Sequence, residues 1–279
     1  MIDLSYSIGG SALALALPNY ILWDQHDGLG HPNVNFYEEK TAYQNGSSYV
    51  GLSFQDRKLD FTFTVVDTTV GAFTVKKQLV QKMFNPERGN GVLQIIRDST
   101  TYYCDVYSLG AKPMGGSGHG SFWQDYQLTF AGLDCSFYGA SNSYSMTSFS
   151  GGFSFPFSFP FSLGTVGWTQ TVTNAGDMKS PPTITIVGEV SHPRITNTTT
   201  GKYIELYGVL AGETVVINCA TGKITKTVGS VTSNAMHYMT MDSDFLTVLS
   251  GANTITYTAT TGIVGTTVTF QFYDRYSGI

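Results

Sequence analysis

The chain has 279 residues, 42% hydrophobic and 14% aromatic, with a formal net charge of −5 and a pI near 5.4. That apolar content excludes global disorder, and the length suits two domains, each with its own core. Only 13% of residues are charged, against roughly 25% in ordinary soluble domains, which points to a Thr/Ser-rich β surface and to an assembled state.

Near the start, Ser11–Leu17 alternates Leu and Ala as a strand does. The segment before it lacks a positive cluster, and Pro18 ends the run well short of a bilayer's thickness, so neither a leader nor a membrane helix is expected. Asp60–Val66 alternates apolar and polar residues with period two and is predicted to be a half-buried strand. In Thr74–Phe84 the residues Val75, Leu79, Val80, Met83 and Phe84 fall at helical spacing. Lys82 and Arg88 suit the negative end of its dipole, Asn85 is the expected cap, and Pro86 stops it. This is the single helix expected, packed on a sheet through Leu79 and Met83. Gly91–Arg97 and Thr101–Tyr107 flank Asp98-Ser99-Thr100 as a hairpin would, and Gln124–Phe130 is a further strand.

From Phe149 to Phe161 phenylalanine recurs at nearly every second position, interrupted by Gly151, Gly152, Pro156 and Pro160. The glycines and prolines exclude a helix, and the rings exclude a solvated linker. Two readings stand: an ordered strap fixing one domain to the other, or a strand inside the second sandwich. Beyond it come Pro182–Gly188, His192–Asn197, Gly201–Leu206, Gly212–Asn218, Phe245–Leu249, Gly251–Tyr257 and Thr266–Tyr273. These β-branched and aromatic runs, separated by turn residues roughly every 8–12 positions, predict an all-β sandwich.

The order of short patterns in this half carries a resemblance: Asn174-Ala-Gly176, Pro182-Thr-Ile-Thr-Ile186, Gly188, Pro193, Asn197-Thr-Thr-Thr-Gly201, Gly212-Glu213, Gly251-Ala-Asn253 and Tyr273-Asp-Arg-Tyr276. Upstream, Leu52–Leu59 with Arg57, the helix, Asn85-Pro86, Gly89, Gly91 and Leu93-Gln-Ile95 continue it. The chain resembles the siphophage distal tail proteins. The resemblance implies a mainly β fold: an N-terminal ring-forming β domain over 1–140 with one helix at about 74–85, a Phe/Ser/Pro/Gly-rich connector over 141–165, and a galectin-like C-terminal β-sandwich over 166–279. It further implies a hexameric ring at the virion's tail tip, assembled in the host cytoplasm, with the first domains around a channel for DNA. The implied partners are the tail tube protein, the tail-associated hub or fibre protein, the tape-measure protein and a receptor-binding protein. Residues 1–50 read equally as a strand, an arm or a belt spanning subunits.

Chemistry is sparse. Up to Cys135 there are 9 basic and 13 acidic residues, and beyond it 6 and 7, with no basic stripe for phosphates, so no sequence-specific nucleic-acid partner is expected. Cys104, Cys135 and Cys219 lack paired or metal-type spacing and read as buried free thiols. His26, His31, His119, His192 and His237 form no ligand pattern, and Asp24 with Asp27, Glu38 with Glu39, and Asp242 with Asp244 read as exposed turn carboxylates. Gly115–Gly120 around His119 lacks the Lys-Ser/Thr ending of a phosphate loop. No catalytic residue, metal or cofactor is expected, and the protein is not expected to be an enzyme. The alternative function is a carbohydrate-binding module in host recognition: His192-Pro193-Arg194 echoes part of the galectin sugar signature, and Trp168 or tyrosines such as Tyr203, Tyr207 and Tyr238 offer rings.

Overall fold

The computed structural model describes residues 2–16, 20–147, 168–261 and 266–279, which form two compact units. The first comprises 1–139 together with 276–279, and the second 140–275. The last four residues thus group with the first unit. The phenylalanine-rich run from 149 to 161 lies outside the described residues, so its two readings are not decided. Residues 141–147, placed in the connector by sequence, continue the strand Phe137–Thr147.

In the first unit the strands are β1 (Ile2–Ile8), β2 (Ser11–Leu15), β3 (Tyr20–Asp27), β4 (Val34–Glu39), β5 (Ser48–Phe54), β6 (Arg57–Val66), β7 (Asn90–Arg97), β8 (Thr100–Pro113), β9 (Trp123–Gly132) and the start of β10 (Phe137–Thr147). An antiparallel sheet runs β3-β6-β9-β8-β7-β1-β2, with β10 touching β8 at Tyr138 and Tyr103. Period-two burial in β6 sends Leu59, Phe61, Phe63 and Val65 into the core, where Leu93, Ile95, Val106, Tyr126, Leu128 and Phe130 meet them. The β7–β8 hairpin turns on Asp98 and Ser99, both at positive φ (50° and 66°), the two-residue turn whose twist matches the strands.

The helix α1 spans Val70–Met83. It starts one turn earlier than its periodicity suggests. Thr69 is the cap, its hydroxyl accepting the Ala72 amide at 3.3 Å, and Val70-Gly71-Ala72 adds little apolar signal. Phe84 ends it, while Asn85 caps the following short turn Pro86–Arg88. The buried face is Phe73, Val80 and Met83, and Leu79 is 40% exposed. Two apolar stripes overlap on this helix. The aromatic cluster selects the one carrying Phe73, because Phe84 stacks on Tyr6 (5.4 Å) and Phe130 closes on both rings.

The second unit contains the rest of β10 and β11 (Trp168–Asn174), β12 (Thr183–Val187), β13 (Val190–Ser191), β14 (Arg194–Asn197), β15 (Lys202–Glu205), β16 (Gly208–Val209), β17 (Glu213–Asn218), β18 (Lys223–Val228), β19 (Val231–Asn234), β20 (Gly251–Thr258) and β21 (Thr267–Tyr276). One sheet runs β19-β18-β17-β12-β21-β10 and the other β11-β20-β14-β15. Ile184, Ile186, Val215, Ile217, Val268 and Phe270 of the first meet Val172, Ile195, Ile204, Ile255 and Tyr257 of the second, which makes this unit a sandwich. Phe245–Leu249, expected as a strand, is not one. Only Val248 makes a bridge, to Ser180, although Leu246 and Val248 are both buried.

Candidate functional site

Three features of the molecule are built rather than incidental. The first is an arm. β4 and β5 pair only with each other among the described strands, and every residue of β4 is exposed. Phe36, Tyr37, Tyr49, Val50 and Leu52 are all at least half exposed, with Phe36 and Tyr49 packed ring to ring at 5.3 Å. A lone hairpin is marginal in water, and hydrophobic side chains held out on both strands mark a contact surface.

The second is the root of that arm. Gln55 at its exit donates its backbone amide to the Asn33 carbonyl at its entry (2.8 Å) and its side-chain amide to Asn35 Oδ1 (2.6 Å). Just beyond, Arg57 is buried (3% exposed) and spends all five of its donors on backbone carbonyls. Nη1 donates to Gly28 and Gly30 (2.7 Å to Gly30), Nη2 to Ser277 and Cys135 (2.8 Å), and Nε to Cys135 (3.2 Å). The Phe137 ring lies 4.2 Å beneath the guanidinium. Burial pulls the Arg57 pKa below its ordinary value, while Cys104, Cys135 and Asp134 push the other way. Gly28 has φ +87°, and a Cβ there would lie 1.9 Å from the Lys58 carbonyl oxygen, so only glycine lets the root turn run against β6.

The third explains the asparagine patterns of the second half. Asn174, Asn197 and Asn253 are each at most 1% exposed, and their amides hold the irregular segment 247–251. Asn253 donates to the Leu249 and Gly251 carbonyls (2.8 and 3.1 Å) and accepts from the Leu249 amide (3.0 Å) and Asn197 (3.2 Å). Asn197 also donates to the Thr247 carbonyl, and Asn174 to Met178 and Val248. Side chains thus do what a strand ladder would have done for this segment. Beside them, a Cβ on Gly176 would sit 2.1 Å from the Arg275 carbonyl oxygen, a backbone contact that cannot yield.

The remaining sequence candidates scatter. His26 lies in β3, His31 meets the Ser277 hydroxyl at 2.8 Å, His119 meets the Gly116 carbonyl at 2.9 Å, and His237 rests on Tyr238. Among the described residues no three His, Cys, Asp or Glu side chains are placed to share a metal ion. Cys104 is buried as expected, but Cys135 and Cys219 are only half-buried, and none of the three forms a disulfide. Glu38 accepts from Ser47 (2.5 Å), and Asp244 pairs with Lys202 (3.4 Å). Trp168 opens β11 opposite Tyr257 and packs on the sandwich core. One surface group does gather: Arg194 lies 3.6 Å over the Tyr203 ring, Glu205 sits 3.8 Å from Arg194 and 3.3 Å from His192, and Tyr207 meets the His192 ring edge-on. His192 holds a positive φ of 50°.

No curated protein sequence matches the chain. Residues 175–276 match the family model described as the C-terminal domain of the siphovirus-type tail component. Among solved structures the chain is similar to the Dit protein (gp 19.1) of phage SPP1, described as a paradigm of the hub adsorption apparatus in phages infecting Gram-positive bacteria. The identity is 16%, the TM-score 0.66, and 99% of each chain is covered. It is also similar to a chain of the phage P2 baseplate in its activated conformation with calcium (8% identity, TM-score 0.51) and with strontium (9%, 0.52), each covering 97% of this chain and 98% of the other. At these identities the structural likeness speaks for the fold, and it does so across both units. The matched stretch holds Gly176, Asn197 and Asn253, and Asn174 stands one residue before it, so residues 175–276 are similar to the C-terminal domain of the siphovirus-type tail components, the family its sequence patterns resemble.

Proposed function

We propose that this protein is the distal tail adaptor of a siphophage: a ring, hexameric by analogy with the family, joining the tail tube protein to the tail-tip hub or fibre protein. In this reading the first units surround a channel for DNA and the end of the tape-measure protein, and the second units face outward as docking surfaces for receptor-binding components. The role is mechanical, not enzymatic. Its parts assemble at the virion's tail tip after synthesis in the host cytoplasm.

The observation that carries it is the β4–β5 arm. Seating an exposed Phe, Tyr, Val or Leu contributes about 1.5–3 kcal/mol per side chain. Phe36, Tyr49, Val50 and Leu52 together therefore offer enough to hold a neighbouring copy through a head-to-tail contact that closes into a ring. Native mass spectrometry and light scattering test this. The expected result is a closed cyclic oligomer that falls to monomer in a Phe36→Ser/Val50→Ser variant. A monomer at every concentration, with no ring in the presence of tail tube or hub proteins, would refute it.

The second reading, sugar binding, is favoured by one observation: the surface group around Arg194, whose guanidinium is held flat by Tyr203 and Glu205 beside the rings of His192 and Tyr207. Calorimetric titration with cell-wall sugars is expected to give nothing tighter than about millimolar affinity. Micromolar binding, abolished by Tyr207→Ala or Arg194→Ala, would move the second unit from docking surface to host recognition.

A further inference from the structure

We infer that Arg57 is the positioning residue of the arm: with the returning segment 277–279 it forms a socket that fixes the direction in which β4–β5 leaves the first unit, and ring closure depends on that socket. The inference rests on the arm being the inter-subunit contact proposed above. Four carbonyls converge on one guanidinium, and they come from three stretches that are far apart in sequence. Gly28 and Gly30 precede the arm, Cys135 follows β9, and Ser277 follows β21. Arg57 itself begins the strand that follows the arm, so a single planar group holds the entry and exit of the hairpin together.

The returning segment closes the socket from the other side. The Ile279 amide donates to the Leu29 carbonyl (2.9 Å), the Ser277 hydroxyl meets His31 Nδ1 (2.8 Å), and Gly278 lies so close to Gly30 that a Cβ would come within 3.0 Å of its carbonyl carbon.

Taking a guanidinium out of water costs free energy that its five hydrogen bonds have to offset, and a methionine in its place would leave the Gly28, Gly30, Cys135 and Ser277 carbonyls without that donor. What a methionine cannot supply is direction. The guanidinium's five donors lie in one plane at fixed angles, so they specify where each carbonyl points. A two-stranded arm about six residues long magnifies any error at its root. A small change of angle at Gly28–Gly30 displaces Phe36 and Tyr49 away from a pocket on the next copy.

The test uses the full chain with Arg57→Met and Arg57→Lys, followed by hydrogen exchange and native mass spectrometry. In Arg57→Met, the Gly28, Gln55 and Ile279 amides, each hydrogen-bonded at the root, are expected to exchange at least tenfold faster, while those of Phe61–Val65 in β6 and of β9 stay protected. Ring assembly is expected to weaken at least tenfold in concentration. Arg57→Lys keeps the charge but loses the planar fork, and is expected to show both effects in smaller measure; it also serves if the methionine variant fails to fold. Wild-type assembly by a folded variant with a loosened root would overturn the inference, as would a root that stays protected in both. The Phe36→Ser/Val50→Ser variant separates the two levels. If it abolishes the ring while Arg57→Met assembles normally, the socket fails and the arm stands. If it assembles normally, the arm reading fails and the socket's role in assembly falls with it.

Discussion

Replacing Asn253 by alanine probes whether the asparagine clamp builds the sandwich. The side chain occupies all four of its hydrogen-bonding positions inside the second unit. Truncation leaves the Leu249 amide and carbonyl and the Gly251 carbonyl without that partner, and removes one acceptor of Asn197, which keeps Thr247. Each buried polar group left unmatched costs about 1–3 kcal/mol. Leu249 is 40% exposed, so water recovers part of that loss at its backbone. The expected net cost is about 2–4 kcal/mol, with roughly two groups left dry. For a unit of this size that lowers the midpoint of thermal unfolding by roughly 6–15 °C. Differential scanning calorimetry of the full chain reads this directly, with Thr256→Val on the outer face of β20 as a control expected to stay within about 0.5 kcal/mol. A shift under 2 °C for Asn253→Ala, with the control unchanged, would show that segment 247–251 is held by Leu246 and Val248 packing and not by the amides.

The helix offers a paired comparison: Val80→Ala is expected to cost about 2 kcal/mol because Val80 is fully buried, whereas Leu79→Ala should fall within about 0.5 kcal/mol; urea unfolding that ranks them in the opposite order would place the helix's inner face wrongly. Tyr257 is fully buried and its hydroxyl has no partner, so Tyr257→Phe should be neutral or stabilising by up to about 1 kcal/mol. Burial pushes that phenol up to about 12 from the ordinary 10. Because the folded form holds its proton more tightly, the contribution of Tyr257 to stability is complete below pH 10 and disappears as pH rises toward 12. The alkaline limb of a stability–pH curve should therefore be shallower in Tyr257→Phe, and an unchanged limb would contradict this.

Most of the strands could be read from the sequence. Asp60–Val66 alternates apolar and polar residues with period two, as a strand with one buried face has to, and Gly91–Arg97 and Gly212–Asn218 are legible as β-branched runs led by glycine. The turn at Asp98-Ser99 and the stop at Pro86 are equally local chemistry. Where two local answers were available, packing decided. Both stripes of α1 are apolar, and only the rings of Tyr6, Phe84 and Phe130 select Phe73, Val80 and Met83 over Leu79. Phe245–Leu249 has a strand's composition, but Asn174 and Asn197, distant in sequence, and the nearby Asn253 take hydrogen bonds of this segment that a neighbouring strand would have taken. Arg57 is one arginine among few in the sequence, and nothing nearby shows that its partners lie 29, 78 and 220 residues away. Hydrophobic period is a property of neighbours along the chain and survives in a string of letters; convergence of carbonyls on a buried guanidinium, and the exposure of an arm whose Phe, Tyr and Val residues would pass for core, are properties of neighbours in space and exist only after the chain has folded.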